Sequence, residues 1–228
     1  MNIIYERREN NYSTVDKFDN TKNNILLLGK ADTYEERCNV INPRGAYNAA
    51  MLYGPNSELY KAYNQCLSIT KEYNIFTVNC RTYSDYLDII DSTLHYNFAY
   101  VVPMGLKLED TFFNNQSNKY EYYIDYFMYL IEEYQCYTTI IMTSNHAKDY
   151  EDVDSFLDYN DKILKDYYTH TARDNDNYSL YSKNGSDIIF VINNLEDVQY
   201  ANSILAAQLS LEDYTSYPQE VGFKTYYD

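Results

Sequence analysis

Short apolar runs alternate with amphipathic stretches about five times along this chain, and that order constrains the fold more than any other feature. ILLLG at residues 25–29 suits a short strand buried on both faces. In NPRGAYNAAMLYG, Asn42 is placed to cap a helix with Pro43 at its first position, and Gly54 to stop it. PNSELYKAYNQCLSITKEYN then carries apolar residues at 59, 62, 63, 66, 69 and 73, a helical stripe. IFTVNC, a β-branched and aromatic run, reads as a strand. TYSDYLDIIDSTL reads as a helix with Tyr83, Tyr86, Leu87, Ile90 and Leu94 on one face.

The order continues with FAYVVP, a strand stopped by Pro103, and SNKYEYYIDYFMYLIEEY, a helix aligning Tyr120, Ile124, Phe127, Met128 and Ile131. CYTTIIMT is the next strand, and YEDVDSFLDYNDKILKDYY the next helix. SDIIFVI and YANSILAAQLSLEDY supply the last long strand and helix. HTARDNDNYSLYSKNGSD, the longest polar interruption, reads as a surface loop or a small hairpin turning at Asn184-Gly185. Strand and helix in alternation, with short connections, imply parallel strands joined by right-handed crossovers. The expected fold class is therefore α/β: an open, mainly parallel sheet with helices on both faces and extended N- and C-terminal arms. The arms are residues 1–22 and 218–228, flanking one domain over 23–217.

The charge narrows the partners. Lys and Arg number 18 against 34 Asp and Glu, a net charge of −16, which opposes nucleic acid and anionic membranes alike. The acids are dispersed at helix starts and turns and read mostly as solvated face. The 30 tyrosines, with no Trp, suit half-buried and interface positions equally and so identify no surface by themselves. Cys38, Cys66, Cys80 and Cys136 form no CxxC pair, and the last three lie in apolar elements. Buried reduced thiols and synthesis in a reducing compartment are expected. MNIIYERRENN has an apolar piece too short for a signal peptide, and no run approaches a membrane span.

Motifs for chemistry are scarce. ILLLGKAD contains Gly-Lys, but a phosphate-binding loop needs glycine where Asn24 stands and Ser or Thr where Ala31 stands. Gly29 is instead expected to end a core strand and let the chain turn. In open α/β sheets ligands favour the carboxyl ends of the strands. The residues there are GKADTYEE, RTYSD, PMGLKLED, SNHAKD and NNLEDV, with no GxGxxG and no GxSxG among them. The best constellation is Ser144, Asn145 and His146, with Asp85 or Asp110 expected nearby and His146 as general base. A polar loop that happens to hold one of three histidines is the plainer reading. His95 precedes a strand, and His170 is expected at a helix end, where a cation would favour the dipole. No pair of histidines has metal-ligand spacing.

The segment NNILLLGKADTY, followed by INPRGAYNAAMLYGPNSELYKAYNQCLSITKEYNIFTVNCRTYSDYLDIIDSTLHYNFAYVVPMGLKL, resembles the conserved domain of contractile-tail sheath proteins of bacteriophages. The likeness lies in the order: a strand ending in Gly, an Asn-Pro start, the aromatic-Gly element MLYG, the SELYKAYNQC helix before NIFTVNC, and YVVPMG. It extends more weakly through CYTTIIMT to YANSILAAQLSLEDYTSYP, over roughly residues 23 to 217. Two departures stand out. The leader MNIIYERRENNYSTVDKFD lacks the family's Pro-Gly-Val-Tyr-like arm, and VGFKTYYD takes the place of a further tube-contacting domain.

The resemblance implies a structural virion protein without catalysis, cofactor or metal. It would be a minimal sheath subunit or a sheath-derived collar, terminator or baseplate adaptor. Its partners would be copies of itself and other tail proteins, in homo-oligomers with six-fold rings among their forms. Its place would be the phage tail, after synthesis in the host cytoplasm. Extended arms add strands to a neighbour's sheet edge, so Ile3, Ile4, Tyr5, Val221, Phe223, Tyr226 and Tyr227 are the expected assembly anchors. The alternative is a small-molecule-binding protein or enzyme on a doubly wound sheet, with His146 or the loop after Pro103 at the crevice.

Overall fold

The computed structural model describes residues 24–33, 40–94, 98–134, 138–144, 163–164, 169–175, 178–183, 187–193 and 201–211. The seven arm anchors, His95, Asn145, His146, Cys38, Cys136, the Asn184-Gly185 turn and most of the helix expected after residue 150 lie outside them.

The strands are β1 (Ile25–Gly29), β2 (Ile75–Asn79), β3 (Tyr100–Pro103), β4 (Thr111–Asn114), β5 (Lys119–Tyr122), β6 (Thr139–Ser144), β7 (Thr169–Asn175), β8 (Tyr178–Lys183) and β9 (Asp187–Asn193). The helices are α1 (Ala46–Tyr53), α2 (Glu58–Ile69), α3 (Tyr83–Thr93), α4 (Tyr123–Tyr134) and α5 (Ala201–Leu209). Seven strands form one sheet in the order β2-β1-β3-β6-β9-β8-β7. From β2 to β9 every pairing is parallel, while β8 and β7 continue antiparallel. This is the expected α/β fold, with an antiparallel extension at one side.

Because strand side chains alternate between faces, β1 divides its four apolar residues between two cores. Leu26 and Leu28 pack with Phe76, Val78 and Val101 beneath α3 and α4. Ile25 and Leu27 pack with Ile75 and Val102 beneath α1, α2 and α5. All four are fully buried. Each such side chain stabilises the fold by about 1.5–3 kcal/mol relative to exposure.

Several boundaries differ from the sequence reading. The first helix begins at Ala46, not at Pro43. Asn42 Oδ1 instead accepts the Arg44 N–H (3.1 Å), a local turn, and Arg44 and Gly45 take positive φ before the helix starts. Gly54 does end it, at φ 85, with the Asp32 side chain packed against it. Tyr83 is largely exposed, and the buried stripe of α3 runs through Tyr86, Ile89, Ile90 and Thr93.

The largest correction is at SNKYEYY, which is not helical at its start. Lys119–Tyr122 pairs antiparallel with Thr111–Asn114, and α4 begins only at Tyr123. Asn114 Oδ1 accepts the N–H of Gln116 (2.9 Å), and Asn118 adopts φ 56, so asparagine side-chain bonding makes the turn. Of the two readings of HTARDNDNYSLYSKNGSD, the hairpin about Asn184-Gly185 holds and the surface loop does not. The segment supplies β7 and β8, and β8 pairs with β9 on either side of Asn184-Gly185. His170 therefore stands opposite Tyr181 in a strand rather than at a helix end.

Candidate functional site

After β1 the chain passes to β2 on one side, and β3 then lies on β1's other side. The sheet's topological switch point is thus at the carboxyl ends of β1 and β3, where an open α/β fold usually holds its ligand.

At that place two of the chain's own side chains pack closely against glycines. Met104 follows β3, its N–H donates to the Leu28 carbonyl (2.8 Å), and its terminal methyl sits where a β-carbon on Gly29 would be. Gly29 has no positive φ. It is therefore glycine here because of the close approach of Met104, and not to free the backbone for a turn. Beside it the Tyr86 hydroxyl accepts the Gly105 N–H (3.1 Å) and occupies the space of a Gly105 β-carbon. Burial, then Cys80 and Glu58 nearby, push the Tyr86 hydroxyl well above its ordinary value, so it remains neutral. Met104 and Tyr86 are both buried.

The Gly-Lys sequence lies in a setting unlike a phosphate site. A phosphate would need free N–H groups at the start of α2. The Leu59 N–H goes to the Lys30 carbonyl (3.2 Å) and the Tyr60 N–H to Ser57 Oγ (3.1 Å). Glu58 places an acid in the same turn. Asn79 Oδ1 accepts the Ala31 N–H (3.0 Å) and pins the following loop.

Asp85 and Asp110 are both engaged by backbone. Asp85 Oδ2 accepts the N–H groups of Arg81 (2.7 Å) and Thr82 (2.8 Å), capping α3. Asp110 Oδ2 accepts the Lys107 N–H (2.8 Å), while its carbonyl accepts the N–H of Tyr123 (3.1 Å). Burial chiefly raises the Asp110 carboxyl above its ordinary value, partly offset by that bond. Lys107 Nζ donates to Thr143 Oγ1 (2.9 Å), and the Leu108 N–H to the Thr143 carbonyl (2.9 Å), tying the end of β3 to that of β6. Of the expected Ser144, Asn145 and His146 group, the backbone of Ser144 ends β6 opposite Asn193, and the other two lie outside the described residues.

Cys66 and Cys80 are both buried. Cys66 Sγ donates to the Ser203 carbonyl (3.1 Å), and burial raises its thiol to about 12, far from a reactive thiolate. Among the described residues, no group of three His, Cys, Asp or Glu is placed to hold a metal ion. Among them too, no helix is long and apolar enough to cross a membrane.

The sequence reading missed a second feature, a run of aromatic rings across α3, the β4–β5 hairpin and α4. Tyr83 lies against Tyr123 (6.2 Å between centroids), Tyr123 against Phe112 (5.1 Å) and Phe112 against Tyr126 (5.6 Å). Phe113 and Tyr120 form an edge-to-face pair across the hairpin (5.3 Å). The density of Tyr in TYSDY and KYEYYIDY was the signal, masked by an equal density elsewhere.

No family model matches this chain, and neither does any curated protein or solved structure.

Proposed function

We propose that this chain is a structural protein of a phage virion, a tail-sheath-like subunit or a sheath-derived collar, terminator or baseplate adaptor. It self-assembles or docks on the tail and does no chemistry. The observation that carries the reading is the close packing at the switch point, where Met104 covers Gly29 and Tyr86 covers Gly105. A sheet that takes a ligand there leaves that crevice open. The order of elements, which resembles the sheath domain, supplies the assembly.

In this account the partners are other copies and the tube, collar or baseplate proteins of the tail. Head-to-tail contacts give rings or helical polymers, six-fold rings among them. The sheet edges differ in a way that suits strand addition. At β2, Ile41 and Thr77 exchange backbone bonds (3.0 and 2.8 Å) and partly cover the edge. At the opposite side β7 stands last in the order among the described residues. An arm bearing Ile3, Ile4 and Tyr5, or Val221, Phe223, Tyr226 and Tyr227, extends such an edge by main-chain bonds.

Deleting residues 1–20 or 219–228 tests this. Loss of the assembled state in either deletion is the expected outcome, and an unchanged assembly state in both overturns the role of the arms. A second reading, ligand binding or catalysis on the same sheet, draws on Lys107 and Thr143 at the ends of β3 and β6, where the chain leads on to His146. A His146→Ala variant that assembles normally, in a protein whose wild type binds no small molecule, counts against it.

A further inference from the structure

Eight large apolar side chains are strongly exposed among the described residues, and five of them, Tyr83, Phe113, Tyr120, Tyr129 and Tyr134, belong to α3, the hairpin and α4. They are not scattered singly. The contacts running from Tyr83 through Tyr123 and Phe112 to Tyr126 continue to Tyr129 (6.4 Å). At the far end the Tyr134 hydroxyl donates to Asp91 Oδ1 (2.5 Å), joining α4 to α3. Tyr123 in this run is buried, and Phe113 pairs with Tyr120 on the hairpin face opposite Phe112, so the exposed rings form no single stack; their concentration on three adjacent elements still marks a contact surface.

The charge around the rings names the occupant. In these elements Asp85, Asp88, Asp91, Glu121, Asp125, Glu132 and Glu133 stand against a single cation, Lys119. Neither α3 nor α4 has a basic residue in its last turn, and α4 ends on Glu132 and Glu133. Carboxylates at a helix carboxyl end oppose the macrodipole, so helix stability does not account for them. Rings and carboxylates side by side suit a guanidinium or ammonium group, which is attracted to the ring face and pairs with the acids. The same face of a second copy fits poorly, since it would set these carboxylates against their own counterparts.

We propose that the aromatic face of α3, the β4–β5 hairpin and α4 docks a partner protein through an arginine- or lysine-rich surface. The cations lie over the exposed rings and between the carboxylates. The inference is independent of the virion reading, because it rests on rings and charges that are the same in any assembly.

The test uses the full chain and an octa-arginine peptide, titrated at moderate salt. The triple variant Phe113→Ser, Tyr120→Ser, Tyr129→Ser keeps every charge, and Tyr47→Ser with Met51→Ser is its control on α1. Loss of about ten-fold in affinity for the triple variant, with the α1 control unchanged, is the expected result. Asp88→Asn with Asp91→Asn should likewise weaken binding more than Asp32→Asn with Glu72→Gln, which removes the same charge elsewhere. Equal losses in site and control variants would mean attraction by net charge alone and overturn the proposal. So would a triple variant that changes the molar mass of the protein but not its peptide affinity, because the face would then be a contact between copies. Circular dichroism of each variant separates these outcomes from misfolding.

Discussion

The terminal methyl of Met104 occupies the volume that a β-carbon on Gly29 would require, so the last residue of β1 and the residue after β3 pack together at the sheet's switch point. Gly29→Ala should destabilise the protein by about 1 kcal/mol, as the flexible methionine end moves aside. In a Met104→Ala background the same change should cost almost nothing. Urea unfolding of the four proteins in this cycle gives the coupling directly. Additive losses would mean that the two residues do not compete for that space.

Gly105→Ala should cost more, about 2–3 kcal/mol, because its obstacle is the Tyr86 ring and hydroxyl, which is less free to move. The Gly105 N–H bond to that hydroxyl is at risk in the same change. Urea midpoints that rank Gly29→Ala as the more damaging of the two would contradict this packing.

Lys30→Ala should shift stability by no more than about 0.5 kcal/mol, since Lys30 is exposed at the end of β1. Calorimetric titration with ATP should detect no binding in wild type or variant. A nucleotide affinity that disappears in Lys30→Ala would reinstate the phosphate-loop reading.

Asp85→Ala should cost about 1–2 kcal/mol in thermal or urea unfolding, because its carboxylate satisfies two N–H groups at the start of α3. Asp85→Asn, which retains one acceptor oxygen, should lose less. If both variants fold as stably as wild type, the carboxylate is not a structural cap and becomes available for another role.

Alkaline stability has a definite sign. Burial chiefly raises the Tyr63 hydroxyl to about 12, against a bond from the Gly45 N–H that lowers it. A folded value above the unfolded one favours folding below about pH 10 and loses that contribution as the pH climbs towards 12. Cys66 acts in the same sense, its benefit declining from about pH 9 upward. Unfolding free energy should therefore fall between roughly pH 9 and 12, and Tyr63→Phe should flatten the upper part of that fall. A profile unchanged by Tyr63→Phe would place the loss elsewhere.

The parallel core was legible because its strands are continuous apolar runs that no helical period accommodates, Ile25–Leu28 most plainly. Gly54 also marked its helix end correctly. The β4–β5 hairpin was hidden because Tyr120, Tyr122, Tyr123 and Tyr126 satisfy a helical and a strand period at once. Asn42-Pro43 imitated a helix cap, since the same asparagine bonding serves a turn. β7 and β8 lie at the sheet's margin, where polar residues are tolerated and the strand pattern weakens. The packing of Met104 on Gly29 was not legible at all, because the two are remote in sequence and only the β1–β3 register brings them together. The loops after the strands could be located from sequence, but not what packs into them.

The measurement that bears most directly on the central claim is the molar mass of the purified full chain by light scattering, across a range of concentration and salt, with electron micrographs of the same samples. The account predicts rings or polymers that grow with concentration. A strict monomer under every condition, together with a small molecule bound at the ends of β1 and β3, would contradict it.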